Sequence, residues 1–124
     1  MSTTKLANPV TWFEVHTPDR ERAKTFYGRV FGWTFADDPQ VPYSMVEMGE
    51  DAPIGGGIAE TEPGQPTMTV FNVQVPDVEA ALARVDEHGG TIIVPRQSTP
   101  NGLEFAYVAD PDGSMFGLWT PPQG

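Results

Sequence analysis

The sequence contains no cysteine, and this absence removes several kinds of chemistry. A disulfide framework, a thiolate nucleophile and a cysteine-ligated metal site all need that residue. Long apolar runs are missing too: no stretch approaches the roughly 18 consecutive apolar residues of a membrane-spanning helix. The opening segment MSTTKLANPV also lacks the apolar core of a signal peptide. We therefore expect a soluble, cytoplasmic protein.

Basic side chains are scarce, with 7 Lys and Arg against 17 Asp and Glu and a formal charge of −10. A surplus of negative charge opposes binding to nucleic-acid phosphates and to anionic membrane surfaces. We expect neither nucleic acid nor membrane as a partner. The 124 residues fit a single domain, residues 1–124, because a chain of this size can bury a core of its own.

Part of the chain nearly repeats itself 58 positions later. Seven of 23 positions are identical when WFEVHTPDRERAKTFYGRVFGWT, starting at Trp12, is aligned with VFNVQVPDVEAALARVDEHGGTI, starting at Val70. Average composition leaves about one or two identities by chance. The repeat predicts one supersecondary unit used twice, with a first module over 9–61 and a second over 67–121.

Each copy predicts a strand, a helix and then three further strands. Trp12 to His16 alternates bulky and polar residues, and Asp19 is placed to cap a helix that ends near Gly32. In the second copy Asp77 takes the capping position, and a glycine pair ends the helix. Short β-rich segments separated by turn signals follow each helix, which favours an α+β fold with mixed or antiparallel pairing. The apolar stripe predicted for the first helix consists of Ala23, Phe26, Tyr27 and Val30.

Two βαβββ modules, FYGRVFGW at the end of the first helix and DPDG before the last strand make the chain resemble the vicinal oxygen chelate superfamily. That family includes glyoxalase I, extradiol dioxygenases, fosfomycin-modifying transferases and bleomycin-binding resistance proteins. The resemblance covers Pro9 to Pro121 and implies a curled mixed sheet, or cup, with the helices outside. It also implies a small organic ligand and a homodimer. Whether the cup forms within one chain or across a dimer is left open.

Metal-dependent members of this family hold a divalent ion with His and Glu side chains from four strands. Carried onto this sequence, those positions fall on Trp12, Val70, Gly117 and the glycine-rich segment 55–58. Imidazole and carboxylate groups are the usual ligands of such ions, and none of these positions supplies one. The comparison therefore implies no metal and no cofactor.

Strand alternation predicts which side chains share a face with Trp12. Glu14 and His16 do so, and as neighbouring titratable groups they are the candidate catalytic residues. The predicted ligand-binding residues are mainly aromatic, apolar or amide-bearing, as small-molecule sites require: Trp12, Val70, Asn72, Gln74, Met115 and Trp119. The opposite face is predicted to pack under the helices, through Phe13, Val15, Phe71, Val73, Phe116 and Leu118.

These assignments have structural alternatives. Trp12 and Trp119 could belong to a core rather than stack on a ligand. Glu14 and His16 could be a hydrogen-bonded couple at a strand end rather than an acid/base pair. Whether the protein is an enzyme is therefore open.

Three functions follow from these alternatives. The first hypothesis is a metal-free, small-molecule-binding protein of the glyoxalase/bleomycin resistance type. The alternative is a metal-independent isomerase, lyase or hydroxylase-like enzyme that uses Glu14 and His16. The third is a metal-dependent glyoxalase or dioxygenase, and the missing ligands argue against it.

Overall fold

The computed structural model describes residues 8–122, which divide into two compact units. The first unit is Thr11–Phe71, and the second joins residues 8–10 to residues 72–122. Within the described residues there are eight strands and two helices. In chain order these are β1 (Val10–Thr17), α1 (Arg20–Phe31), β2 (Thr34–Asp37), β3 (Tyr43–Glu47), β4 (Gly55–Glu60), β5 (Met68–Gln74), α2 (Val78–Glu87), β6 (Thr91–Ser98), β7 (Glu104–Ala109) and β8 (Met115–Thr120).

The first unit packs α1 against strands in the order β2-β3-β4-β1. The pair β1 and β4 is parallel, and the other pairs are antiparallel. Helix α1 begins where the Asp19 side chain accepts a hydrogen bond from the Arg22 amide at 3.0 Å, and it ends at Gly32, whose φ of 73° suits glycine. The core beneath it is built on Val15, Val46 and Ile58.

Helix α1 buries a narrower face than its sequence predicts. Ala23 and Tyr27 pack on the core, whereas Phe26 and Val30 are 59% and 53% exposed. The ring of Tyr27 stacks on that of Trp33 with their centroids 5.7 Å apart, and both rings pack against the core. The prediction that Phe26 and Val30 face the core is wrong because these two rings already cover it.

The second unit has the strand order β5-β8-β7-β6. Here β5 and β8 are parallel, while β7 is antiparallel to both of its neighbours. Helix α2 is capped by Asp77, whose side chain accepts from the Ala80 amide at 3.1 Å. The helix packs on a core formed by Val75, Val78, Ala81, Leu82, Ala106, Val108 and Leu118.

The predicted α+β class, with two βαβββ modules and mixed strand pairing, is confirmed. Most of the side chains predicted to lie under the helices do so: Phe13 and Val15 belong to the core of the first unit, and Val73, Phe116 and Leu118 to that of the second. Phe71 is an exception, at 47% exposed, because it belongs to the first unit, where the core beneath α1 is built on residues of β1, β3 and β4. Neither α1 nor α2 is long and apolar enough to cross a membrane, and the described chain has no other helix.

Candidate functional site

Four side chains of the first unit form a continuous row of hydrogen bonds, called here the Trp12–His16 row. Trp12 Nε1 donates to the Tyr43 hydroxyl at 2.8 Å, and that hydroxyl donates to Glu14 Oε2 at 2.9 Å. The other carboxylate oxygen, Glu14 Oε1, lies 3.0 Å from His16 Nε2. Trp12, Glu14 and His16 alternate along β1 and so share one face of it, as predicted. The structure therefore brings both candidate catalytic residues and one predicted ligand-binding residue together.

Glycines on β4 make room for this row, because β4 lies between β1 and β3. A Cβ atom on Gly55 would lie 2.3 Å from the Trp12 ring, and one on Gly57 would lie 2.1 Å from the Tyr43 hydroxyl oxygen. Such distances are far below van der Waals contact, so any larger residue would displace the rings. Tyr43 thus reaches Glu14 across a strand that has no side chains in the way.

The end of the row formed by Glu14 and His16 is buried, and these residues are 8% and 9% exposed. A carboxylate that leaves water needs hydrogen-bond donors in exchange. Tyr43 supplies one such donor, and His16 supplies a further one when its Nε2 carries the ring proton.

Tyr43 is the residue of this site that sequence reasoning missed. It lies on β3, two strands away from β1 in the sheet and 29 residues from Glu14 in the chain. One signal was available: the GGG segment at Gly55–Gly57 is a stretch of strand without side chains, so large residues from both neighbouring strands can meet over it.

The second unit carries most of the other residues predicted to bind a ligand. Asn72 and Gln74 of β5 pair in register with Gly117 and Trp119 of β8, so these four positions lie side by side. Met115 is at the far end of β8, where it pairs with Ala109 of β7. The remaining predicted residue, Val70, belongs to the first unit and is only 4% exposed.

A second charged cluster in the first unit ties α1 to β2 and β3. The buried Ser44 hydroxyl donates to Asp37 Oδ1 at 2.6 Å, and Lys24 Nζ lies 2.9 Å from the same oxygen. The Ser44 hydrogen bond and the Lys24 contact lower the pKa of Asp37, while hydrogen bonds to Glu21 and Asp37 raise the pKa of Lys24. The Asp37 side chain is 54% exposed, and its partners Ser44 and Lys24 belong to β3 and α1. These contacts join the helix to the strands, so the cluster supports the fold rather than a reaction.

The positions to which the sequence resemblance carries the metal ligands of the family do not fit a metal here. Trp12, Val70, Gly117 and the glycines of β4 offer no imidazole or carboxylate. Nor do residues 8–122 contain a group of three or more His, Cys, Asp or Glu side chains arranged to hold an ion. The side chains of Glu14 and His16 lie together, but residues 8–122 place no third side chain of these types beside them to complete a metal site.

A family model described as the Glyoxalase/Bleomycin resistance protein/Dioxygenase superfamily matches residues 10–118. The chain belongs to this superfamily. The resemblance seen in the sequence is thereby confirmed.

Curated relatives of this superfamily member include proteins more than twice its length. "Putative glyoxylase CFP32" of Mycobacterium tuberculosis (strain CDC 1551 / Oshkosh) is 32% identical over 117 residues, covering 87% of this chain and 44% of the relative. The anthracycline biosynthesis protein DnrV of Streptomyces peucetius is 25% identical over 124 residues, covering 87% of this chain and 45% of that protein. The chain therefore spans less than half the length of these relatives.

Solved structures show the same fold at low identity. A superfamily member from Vibrio splendidus 12B01 has a TM-score of 0.65 at 19% identity, covering 93% of this chain and 100% of that one. Methylmalonyl-CoA epimerase from Mycobacterium tuberculosis has a TM-score of 0.66 at 12% identity, covering 99% of this chain and 94% of the epimerase. At these identities the likeness concerns the fold alone.

Proposed function

We propose that this superfamily member binds a small, flat organic molecule on the face of its first unit that carries the Trp12–His16 row. The observation that supports this most strongly is the hydrogen-bonded row itself, laid over glycines that leave space for it. Aromatic surface combined with a few fixed polar groups is the usual lining of a small-molecule site. The row offers an indole and a phenol as apolar surface, with a carboxylate and an imidazole beside them.

The named relatives agree with this class of ligand. One is named as a glyoxylase and another as an anthracycline biosynthesis protein, and both names concern small organic compounds. Planar aromatic compounds therefore belong in the first screen. Val70 in the first unit and, in the second unit, Asn72, Gln74, Met115 and Trp119 remain proposed ligand-binding residues, and a cytoplasmic homodimer is proposed as well.

Tryptophan fluorescence tests the proposal directly. We expect planar organic compounds to quench the emission and to raise the melting temperature, because Trp12 lies in the proposed site. The Trp12→Phe variant should lose the part of the quenching that comes from Trp12, so that only the response of Trp119, a further proposed contact, remains. Trp33→Phe is the matched control, since Trp33 packs with Tyr27 under α1 and should leave quenching by the ligand intact. A broad screen with neither quenching nor thermal shift, or equal effects of both variants, would contradict the proposal.

A metal-independent enzyme is the second candidate, and the 3.0 Å contact of Glu14 with His16 is the observation that favours it. The His16 imidazole, held beside Glu14, can take a proton from a carbon next to a carbonyl group. Glu14 then stabilises the imidazolium, and return of the proton to the same or a neighbouring carbon isomerises the substrate. The Tyr43 hydroxyl holds Glu14 in place for this role.

Deuterium exchange separates the two candidates. For each compound found in the screen, an enzyme should incorporate deuterium from D₂O next to the carbonyl group. Incorporation should fall strongly in Glu14→Gln and His16→Asn while binding persists. If deuterium incorporation is unchanged in both variants, or absent with the native protein, ligand binding remains the only candidate of the two.

Elemental analysis tests the third function considered from the sequence. Protein purified without chelators is expected to carry no stoichiometric divalent metal, because the ligand positions do not fit one. A tightly bound ion at one equivalent would overturn that assignment and revive a metal-dependent glyoxalase or dioxygenase.

A further inference from the structure

Asn72 in the second unit is a buried amide with an unsatisfied donor. The residue is 5% exposed, and its Nδ2 atom is buried without a hydrogen-bond partner within residues 8–122. A buried polar group without a partner loses its bonds to water and regains nothing, which makes it costly for the free protein. Such a group points to a partner that arrives from outside the chain.

Gly117 holds the Asn72 amide in one position. A Cβ atom on Gly117 would lie beside Asn72 Oδ1, at a separation no real atom pair shows, so the amide occupies the space that glycine leaves. The orientation of the amide follows from this contact. A Cα–H group is a weak donor, so it favours the carbonyl oxygen of Asn72 at that point over the NH₂ group. The NH₂ group is therefore the end left for a partner.

Aromatic side chains lie on the same face of the sheet as this donor. Tyr107 of β7 pairs in register with Gly117, and its ring would come within 3.3 Å of a Cβ on that glycine. Phe105 packs edge-on against Tyr107 with the ring centroids 5.9 Å apart, and it pairs with Trp119. The opposite face of these strands packs under α2, through residues such as Ala106 and Leu118. The Asn72 amide thus lies on a sheet face lined by rings.

Nearby charge decides which acceptor suits this donor. The arginines of the second unit are Arg84 and Arg96, and both are exposed. Arg96 already pairs with Glu79 at 2.9 Å and with Glu104 at 3.0 Å, on the side of α2 and β6. A carboxylate buried at Asn72 would have neither of these arginines of the second unit to compensate its desolvation, whereas a neutral carbonyl oxygen needs only the one donor.

We infer that Asn72 is a recognition residue of the second unit that donates from Nδ2 to the carbonyl oxygen of a neutral, flat aryl ketone or quinone. This inference rests on the proposed binding of small molecules and adds the chemical group that is recognised. It assigns Gly117 the role of positioning the amide. Tyr107 contributes the aromatic surface against which the ring of the ligand packs.

Nuclear magnetic resonance can observe the donor itself. The side-chain NH₂ resonances of Asn72 are identified by their disappearance in Asn72→Leu, and three probes are then titrated: 1-tetralone, its hydrocarbon analogue tetralin, and 1-naphthoate. We expect 1-tetralone to shift these resonances downfield and to bind about tenfold more tightly than tetralin, as one hydrogen bond of about 1.4 kcal/mol predicts. The preference should vanish in Asn72→Leu, and also in Gly117→Ala, where the amide is present but displaced.

Thermal unfolding without any ligand gives a second, independent readout. Asn72→Leu removes the unsatisfied donor with little change of size, so the melting temperature should rise by about 4 °C or more. Asn72→Ala serves where leucine does not fit, and it should lose the ketone preference in the same way. Gln97→Leu, which removes an exposed amide of the same unit, is the control and should leave both the melting temperature and the preference unchanged.

Each contrary result has a distinct meaning. Equal binding of 1-tetralone and tetralin with unmoved Asn72 resonances would overturn the inference and leave the proposed small-molecule function standing. Tighter binding of 1-naphthoate than of 1-tetralone would overturn the choice of a neutral carbonyl. A lower melting temperature in both Asn72 variants would show that the amide already has a structural partner, which also overturns the inference. Failure of all three probes to bind would overturn it for this class of ligand, while the Trp12 fluorescence screen still decides the proposed function.

Discussion

Gly57 and Tyr43 fit each other so closely that a methyl group on the glycine would lie 2.1 Å from the phenolic oxygen. That oxygen links the indole of Trp12 to the carboxylate of Glu14. The hydrogen-bonded row of the first unit therefore depends on the absence of a side chain on the strand beneath it. This relationship gives the first prediction.

Gly57→Ala should displace the Tyr43 ring and break the row. Overpacking of this kind costs about 1–3 kcal/mol of unfolding free energy, measured by urea denaturation. The same substitution made together with Tyr43→Ala should cost much less, because the atoms it meets have been removed. Equal costs in the two backgrounds would show that the glycine serves some purpose other than making room for Tyr43.

Tyr43→Phe should destabilise the protein by about 1–3 kcal/mol, because it removes the acceptor of Trp12 and a donor to the buried Glu14. Tryptophan emission should also change as the indole loses its hydrogen bond to Tyr43. Tyr27→Phe is the control: its hydroxyl makes no hydrogen bond within residues 8–122, so the cost should be within about 0.5 kcal/mol. Similar losses in the two variants would contradict a special role for the Tyr43 hydroxyl.

Asp37 should make stability depend on acid pH. Its pKa is held below the usual value by the Ser44 hydroxyl and by Lys24, so the folded state favours the ionised carboxylate. A group whose pKa falls on folding contributes stability above its unfolded pKa and loses that contribution as the pH falls through the folded pKa. The native protein should thus be more stable than Asp37→Asn at pH 7, and the gap should close below about pH 4.

Denaturant melts at several pH values between 7 and 2 check this behaviour. Asp51→Asn, which removes an exposed loop carboxylate, should show the same pH dependence as the native protein. A difference in unfolding free energy between the native protein and Asp37→Asn that stays constant over this range would be evidence against the contacts of Asp37 with Ser44 and Lys24.

Ile58→Ala should cost about 2–5 kcal/mol, because the side chain is only 1% exposed and leaves a cavity in the core beneath α1. Ile93→Ala is the same chemical change at a strand residue that is 47% exposed, and it should cost less than about 1 kcal/mol. Urea denaturation of the two variants gives the comparison. Comparable losses would mean that Ile58 does not lie in the core as described.

Local features of the fold were readable from the sequence because they depend on residues close together in the chain. Asp19 and Asp77 cap their helices as expected, and strand alternation placed Glu14 beside His16 and Phe13 under the helix. Helical periodicity was less reliable. It also assigned Phe26 and Val30 to the core, although the space was taken by Tyr27 and Trp33.

By itself, then, the sequence determined the βαβββ modules, the superfamily and the lack of a metal-ligand set, since these follow from short-range pattern and residue type. Only the tertiary structure decided that Tyr43 completes the row from Trp12 to His16, because that contact requires β4 to lie between β1 and β3 with glycine at the crossing. It also decided that the Asn72 donor is buried and has no hydrogen-bond partner within residues 8–122. Whether a polar group has a partner depends on side chains brought together from distant parts of the chain, and no local pattern records that.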